Sequence, residues 1–160
     1  MASIFKDNRK DLDKQLKKIE SLENSYVLVG FQEGSVTKSQ VKNGRRKKAG
    51  KSMAQIAAEN EFGTKTIPQR SFMRTSFDEN IQNIQNAISN EYTKVLDGTS
   101  TIKKSLNLIG LFGVDLIQQK IRQIRQPPNS PRTIAIKKSS KPLIDFGQMI
   151  QSVRHKVVVK

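Results

Sequence analysis

From Phe72 to Ile124, large apolar side chains recur every third or fourth residue, with one interruption at Gly98. Phe72, Met73, Phe77, Ile81, Ile84, Ile88, Tyr92, Val95 and Leu96 trace one face of a helix over 72–96. Ile102, Leu106, Ile109, Phe112, Leu116, Ile117, Ile121 and Ile124 trace a second over 101–125. This period fits the helical turn and no strand. Gly98 stops the first helix, and Thr99 or Ser100 can cap the second. Residues 106–117 are apolar nearly all round, which predicts the most buried helix of the chain. Gly110 and Gly113 lie three apart on it, a spacing that suits close helix packing better than a ligand role. Two such helices need a surface to pack on, and that requirement constrains the rest of the chain.

Tyr26-Val27-Leu28-Val29-Gly30-Phe31 reads as a strand, and 153–159 as another at the C-terminus. Two strands make a marginal sheet, so further strands are expected within 32–45, with 64–70 as an additional candidate. An amphipathic helix is predicted over 4–23 from Ile4, Phe5, Leu12, Leu16, Ile19 and Leu22. Asp7, Asp11 and Asp13 sit early in it and Lys14, Lys17 and Lys18 later, as the helix dipole prefers. Ser52 can cap a short helix through Met53, Ile56, Ala57 and Asn60 that Gly63 ends. Ser130 and Pro131 suit the cap and first position of a helix reaching Lys137, and Asp145 can cap a last one over 146–151. The expected fold is α+β: a small twisted, mainly antiparallel sheet packed against two long helices, plus the N-terminal helix. A chain of 160 residues suits a single domain spanning 1–160.

Enzyme constellations fail by inventory. There is no cysteine and one histidine, which removes disulfide frameworks, thiol nucleophiles and cysteine metal sites. His155 lies in the charged terminal strand and reads as an exposed strand residue rather than a base. Glu59 and Glu61, two apart on a helix, point different ways; Asp78 and Glu79 are adjacent and read as solvated. No carboxylate cluster suits a metal. Gly110-Leu111-Phe112-Gly113 lies mid-helix, where its amides are already bonded and cannot cradle phosphate. The expectation is therefore a protein with no catalytic residue, no metal and no cofactor. No apolar run is long enough to span a membrane, and 1–7 lacks a signal-peptide core, so the chain reads as a soluble protein made in the cytoplasm.

The formal net charge is +15, and it is unevenly placed. Residues 35–52 hold seven bases and no acid; 118–160 hold ten bases and one acid, Asp145. Such a field can meet a polyanion or an acidic protein face. Within 32–52, an extended basic loop or hairpin, Asn43-Gly44 is a good two-residue turn. Lys38, Lys42, Arg45, Arg46, Lys47, Lys48 and Lys51 are the candidate contacts to DNA phosphates or to an acidic partner. The segment has no aromatic residue on which bases could stack, so any nucleic-acid contact would be non-specific.

Two stretches then carry a resemblance. Asn60-Glu61-Phe62-Gly63-Thr64-Lys65-Thr66-Ile67-Pro68-Gln69-Arg70-Ser71-Phe72-Met73-Arg74 resembles a segment of the tail-completion proteins of tailed bacteriophages, also called head–tail joining, neck or virion-morphogenesis proteins. Some sixty residues later, Pro127-Pro128-Asn129-Ser130-Pro131-Arg132-Thr133, then Lys137, Pro142-Leu143-Ile144-Asp145-Phe146-Gly147 and Ser152, is similar to that family's ending. Val27-Leu28-Val29-Gly30 matches its opening strand. Phe146 departs from the pattern, standing where a small residue such as threonine is commoner. The motif positions Phe62, Gly63, Pro68, Arg70, Phe72, Pro128, Pro131, Lys137, Pro142, Leu143, Asp145 and Gly147 read as scaffold: Pro68 stiffens the entry to the long helix, Phe72 and Phe77 anchor it to the sheet, and Gly147 leaves room near a neighbouring backbone. The resemblance implies a virion structural protein at the head–tail junction, made in the host cytoplasm. It implies a homo-oligomeric ring, a hexamer, bound to a connector or stopper on one side and a tail terminator or tube on the other, around the channel that passes DNA. The alternative is a non-specific nucleic-acid-binding protein that uses 35–52 and the basic C-terminal region.

Overall fold

The computed structural model describes residues 9–32, 40–42, 45–47 and 50–160. The elements in chain order are α1 (Arg9–Glu23), β1 (Tyr26–Phe31), β2 (Gln40–Lys42), β3 (Arg45–Lys47), α2 (Met53–Phe62), α3 (Met73–Asp78), α4 (Ile81–Leu96), α5 (Ile102–Gln123), α6 (Pro131–Lys137), α7 (Gln148–Gln151) and β4 (Val153–Val158). The class is α+β, as expected: a small antiparallel sheet, long helices and an N-terminal helix. The expected start of α1 at residue 4 lies outside the described residues. Within Arg9–Glu23 the last turn has no base; Glu20 and Glu23 stand there, against the dipole preference read for the longer helix.

β1 pairs antiparallel with β4, from Tyr26 opposite Val158 to Phe31 opposite Val153. Alternation then sends Val27, Val29 and Phe31 to one face together with Val153, His155 and Val157. That face receives α5. Here Gly110 and Gly113 have a packing role: a Cβ on Gly110 would come within 2.5 Å of the His155 ring and 2.8 Å of Val27, and one on Gly113 within 3.1 Å of Val29. Side chains absent at two positions let a helix lie directly on a sheet. The core continues along α5 through Ile117 and Ile121, closed by Met53, Ala57, Phe72, Leu143, Met149 and Val153. α4 packs on α5, and α1 touches α4.

Several expectations need correction. A further strand does lie within 32–45, as β2, but among the described residues it pairs with β3 in a separate hairpin and the β1–β4 sheet has two strands; 64–70 forms no strand. The helix expected over 72–96 is two helices, broken at Glu79 and Asn80. Asn80 donates its side-chain amide to the Ser76 carbonyl at 2.9 Å, and its backbone N–H reaches Phe77 rather than Ser76; a short amide side chain thus competes with the helical ladder. Thr101, not Thr99 or Ser100, caps α5, its hydroxyl accepting from the Lys104 N–H at 3.3 Å. Ser52 stands at the start of α2 but makes no side-chain cap bond. Ser130 does cap α6, accepting from the Thr133 N–H, with Pro131 opening the helix. α5 carries the most buried residues of any described helix, as its composition predicts, but it is not enclosed all round. Leu108 and Leu111 are exposed and Phe112 is half-buried, because β1, β4, α3 and α4 do not surround it.

Candidate functional site

The two motif segments meet in space. α2 ends at Gly63, whose backbone is left-handed (φ 76°) and whose missing Cβ would meet the Gln69 amide nitrogen at 3.0 Å. The chain then turns back on itself: Thr64 N–H donates to Ile67 O, and Arg70 N–H to Asn60 O at 2.7 Å. Glu61, buried in α2, closes the next junction. Its carboxylate accepts from Ser71 Oγ at 2.7 Å and from the backbone N–H groups of Met73 and Arg74 at 2.8 and 3.1 Å. These are the orphan donors at the start of α3, so one acidic residue caps a helix it does not belong to. Phe72 beside it is fully buried, its ring edge-on to Phe31 of β1 at 6.1 Å.

Arg70 bridges to the second segment. Its Nε donates to the Pro127 carbonyl at 2.7 Å, and its Nη2 to the Pro128 carbonyl at 3.0 Å and to Asn129 Oδ1 at 3.4 Å. The side chain is buried, and burial pulls its pKa below the ordinary arginine value; guanidinium stays charged nonetheless. Asn129 in turn donates to Lys141 O, while Lys137 Nζ donates to the carbonyls of Lys141 and Pro142, each at 3.0 Å. Pro142 and Leu143 are buried. Pro68, Pro128 and Pro131 are exposed, serving through backbone shape rather than side-chain burial.

Three motif residues behave differently from the sequence reading. Phe62 is 69% exposed and packs into no core. Asp145 does not cap α7, which starts three residues later at Gln148 with Gly147 at its N-cap. Gly147 is required for its left-handed backbone (φ 77°) rather than for close approach, since a Cβ there would meet only Gln151 Nε2 at 3.6 Å. Phe146, the departure from the motif, is buried.

Of the basic segment, the described parts form a hairpin in which Lys42 pairs with Arg45, Val41 with Arg46 and Gln40 with Lys47. Lys38, Lys48 and the turn at 43–44 lie outside the described residues. Lys51 is separate from this group. It forms an ion pair with Glu59, its Nζ 2.6 and 2.7 Å from the two carboxylate oxygens, and this holds the Glu59 carboxyl below its ordinary pKa.

The remaining candidates are structural. His155 is half-buried, not exposed, and its Nε2 hydrogen-bonds Asn107 Oδ1 at 2.8 Å across the sheet–α5 contact. Glu79 is paired with Lys120 at 2.5 Å rather than merely solvated. Among the described residues no group of acidic or histidine side chains is placed to hold a metal, and no helix is long and apolar enough to cross a membrane.

Sequence reasoning missed a groove of about 480 Å³ between α2, β1 and α3, lined by Phe31, Ala54, Ala57, Ala58, Glu61, Phe62, Met73 and Arg74. Its signal was present: Ala54, Ala57, Ala58 and Phe62 share one helical face, and small residues on a face leave a trough. Also missed was the crowding of Lys103 and Lys104 at the positive end of α5, where bases are disfavoured and where they line an open cleft with Asn107 and His155. Compared with models of protein families, with curated proteins and with solved structures, the chain matches none.

Proposed function

We propose that this chain is a structural subunit of a tailed-phage virion, forming a homo-hexameric ring at the head–tail junction. The ring completes the tail or joins it to the head connector around the DNA channel, and the chain performs no catalysis. The observation that supports this reading is the Arg70 bridge. The two segments that resemble the tail-completion family lie nearly sixty residues apart, yet they are held together by one buried guanidinium on three acceptors. The motif residues thus have a physical reason to occur together, and that reason is shape.

The partners in this reading are a connector or stopper on one side and a tail terminator or tube on the other. The basic hairpin faces the DNA channel or an acidic face of the adjoining ring. Around a ring, copies of a segment with no acid repel one another unless phosphate, salt or an acidic neighbour intervenes. Replacing Arg45, Arg46, Lys47 and Lys48 together by glutamine leaves the fold intact, checked by circular dichroism, and impairs head–tail joining or DNA retention in particles. Variant particles as infectious and as salt-resistant as the parent remove the hairpin from the mechanism. A single copy per particle, counted by quantitative mass spectrometry of virions, overturns the ring. Tight duplex binding by a monomer at moderate salt favours the nucleic-acid-binding alternative.

A further inference from the structure

α1 presents an apolar stripe that the described residues of its own chain leave largely exposed. The helix is held by its other side: Lys18 Nζ donates to the Val95 and Leu96 carbonyls at the end of α4, Ser21 Oγ donates to Lys160 O, and Leu22 is buried. Leu12, Leu16 and Ile19, at i, i+4 and i+7, remain 58, 53 and 43% exposed. Asp13 and Glu20 follow Leu12 and Ile19 by one position and Lys17 follows Leu16, so the border of the stripe carries two acids and one base.

The groove between α2, β1 and α3 is the complementary shape. Its floor is the small-residue face Ala54, Ala57 and Ala58, its walls are Phe31, Met73 and the exposed Phe62, and Arg74 stands on its lip. The Arg74 guanidinium donates to Ser71 Oγ and has no carboxylate partner among the described residues. An amphipathic helix laid into an apolar groove is recognised through anchors at i, i+3 or i+4, and i+7, the spacing α1 offers. Asp13 or Glu20 then brings a direct carboxylate to the Arg74 guanidinium, which within its own chain reaches the Glu61 carboxylate only through Ser71 Oγ.

Among the described residues, none of α1 lines the groove, so there the two surfaces stand apart. α1 joins β1 at Tyr26, whereas the groove lies at the Phe31 end.

We infer that the groove between α2 and α3 receives α1 of a second copy of this chain, with Leu12, Leu16 and Ile19 as anchors and an acidic residue of the stripe's border on Arg74. The contact is heterologous: each copy gives a helix at one end and accepts one at the other. Such contacts close into rings or run on as filaments. The inference deepens the ring reading above and rests on it for closure. The contact itself is a property of the purified chain, so the two fail separately.

Sedimentation equilibrium of the purified full chain at moderate salt tests it. The parent mass rises with concentration. Leu16→Asp, which spoils the helix, and Ala58→Glu, which spoils the groove, change exposed positions; each weakens self-association at least tenfold while leaving the thermal melt unchanged. If Ala58→Glu disturbs folding, Phe62→Ser replaces it. Mixed in equal amounts, the two variants restore one interface, from the intact helix of one to the intact groove of the other. The mixture therefore forms dimers and nothing larger. A parent that stays monomeric at every concentration overturns the inference, as does a mixture that stays monomeric. Self-association of Ala58→Glu equal to that of the parent also overturns it, since the helix then docks elsewhere, as on its own copy.

Discussion

Around Phe72 the chain covers its own apolar surface; along α1 it leaves three large side chains in solvent. Phe72 has no exposed area, and Phe31, Glu61 and Arg70 surround it with ring contact, cap bonds and a buried bridge. Leu12, Leu16 and Ile19 sit on a helix tied down through Gln15, Lys18, Ser21 and Leu22. Both regions are amphipathic in sequence. In the first, apolar burial stabilises the monomer; in the second, the same kind of surface contributes almost nothing until something else covers it. A hydrophobic stripe is thus evidence that a face is to be covered, not evidence of what covers it.

Substitution separates the two regions. Phe72→Ala removes a fully buried aromatic side chain and is expected to lower stability by about 3–5 kcal/mol in denaturant titration. Leu16→Ala in dilute, monomeric protein is expected to cost under about 0.5 kcal/mol, the range of exposed surface changes. Comparable losses at the two positions would mean that α1 belongs to the core. Arg70→Lys keeps the charge but replaces a planar fork with a point donor. It should cost about 1.5–3 kcal/mol, the range for hydrogen bonds made by charged groups. An unchanged midpoint of unfolding would show that the two motif segments hold together without the bridge.

The smallest effect lies on α4, the helix to which α1 is tied. Glu91 is held below its ordinary pKa of 4.5, first by the hydrogen bond from Lys94, against the opposing effect of burial, with Ser105 helping. A carboxyl with a lowered folded pKa binds its proton more weakly in the fold than in the unfolded chain. Its stabilising contribution is therefore complete above the ordinary value and is lost as the pH falls through the lower folded one. Glu91→Gln should flatten that part of the acid limb of the stability curve and leave the neutral region little changed. An acid limb of the same slope in parent and variant would assign it to other carboxylates.

Sequence periodicity located most of this architecture for a simple reason: helices and strands in a small domain are placed by which residues must leave water. It located α2, α5, α6, β1 and β4 to within a few residues, together with the glycines that let α5 lie on the sheet. It failed where a local polar side chain decided the outcome. Asn80 interrupts a helix whose apolar period runs straight through it, and Thr101 rather than its neighbours caps α5. The scaffold of the candidate site was legible as a set of residues but not as a set of bonds. Nothing in the spacing of Glu61 and Arg70 says that one caps a distant helix start and the other grips the carbonyls of a proline loop. Phe62 read as scaffold because it lies in a motif, and it turned out to be a wall of the groove. That groove was hidden for the opposite reason: alanines draw no notice in a search for chemistry.

The position of β1 between α1 and the groove has a mechanical consequence. A neighbour that holds α1 pulls on the Tyr26 end of β1, while the body of the subunit holds β1 through its ladder to β4. Antiparallel hydrogen bonds run perpendicular to their strands, so tension directed along β1 loads the whole ladder in shear. The six paired positions from Tyr26 to Phe31 share the load at once rather than parting one after another. In the contact inferred above, a pair of strands too narrow to make a strong sheet serves, along this axis, as a tie-bar between one subunit and the next.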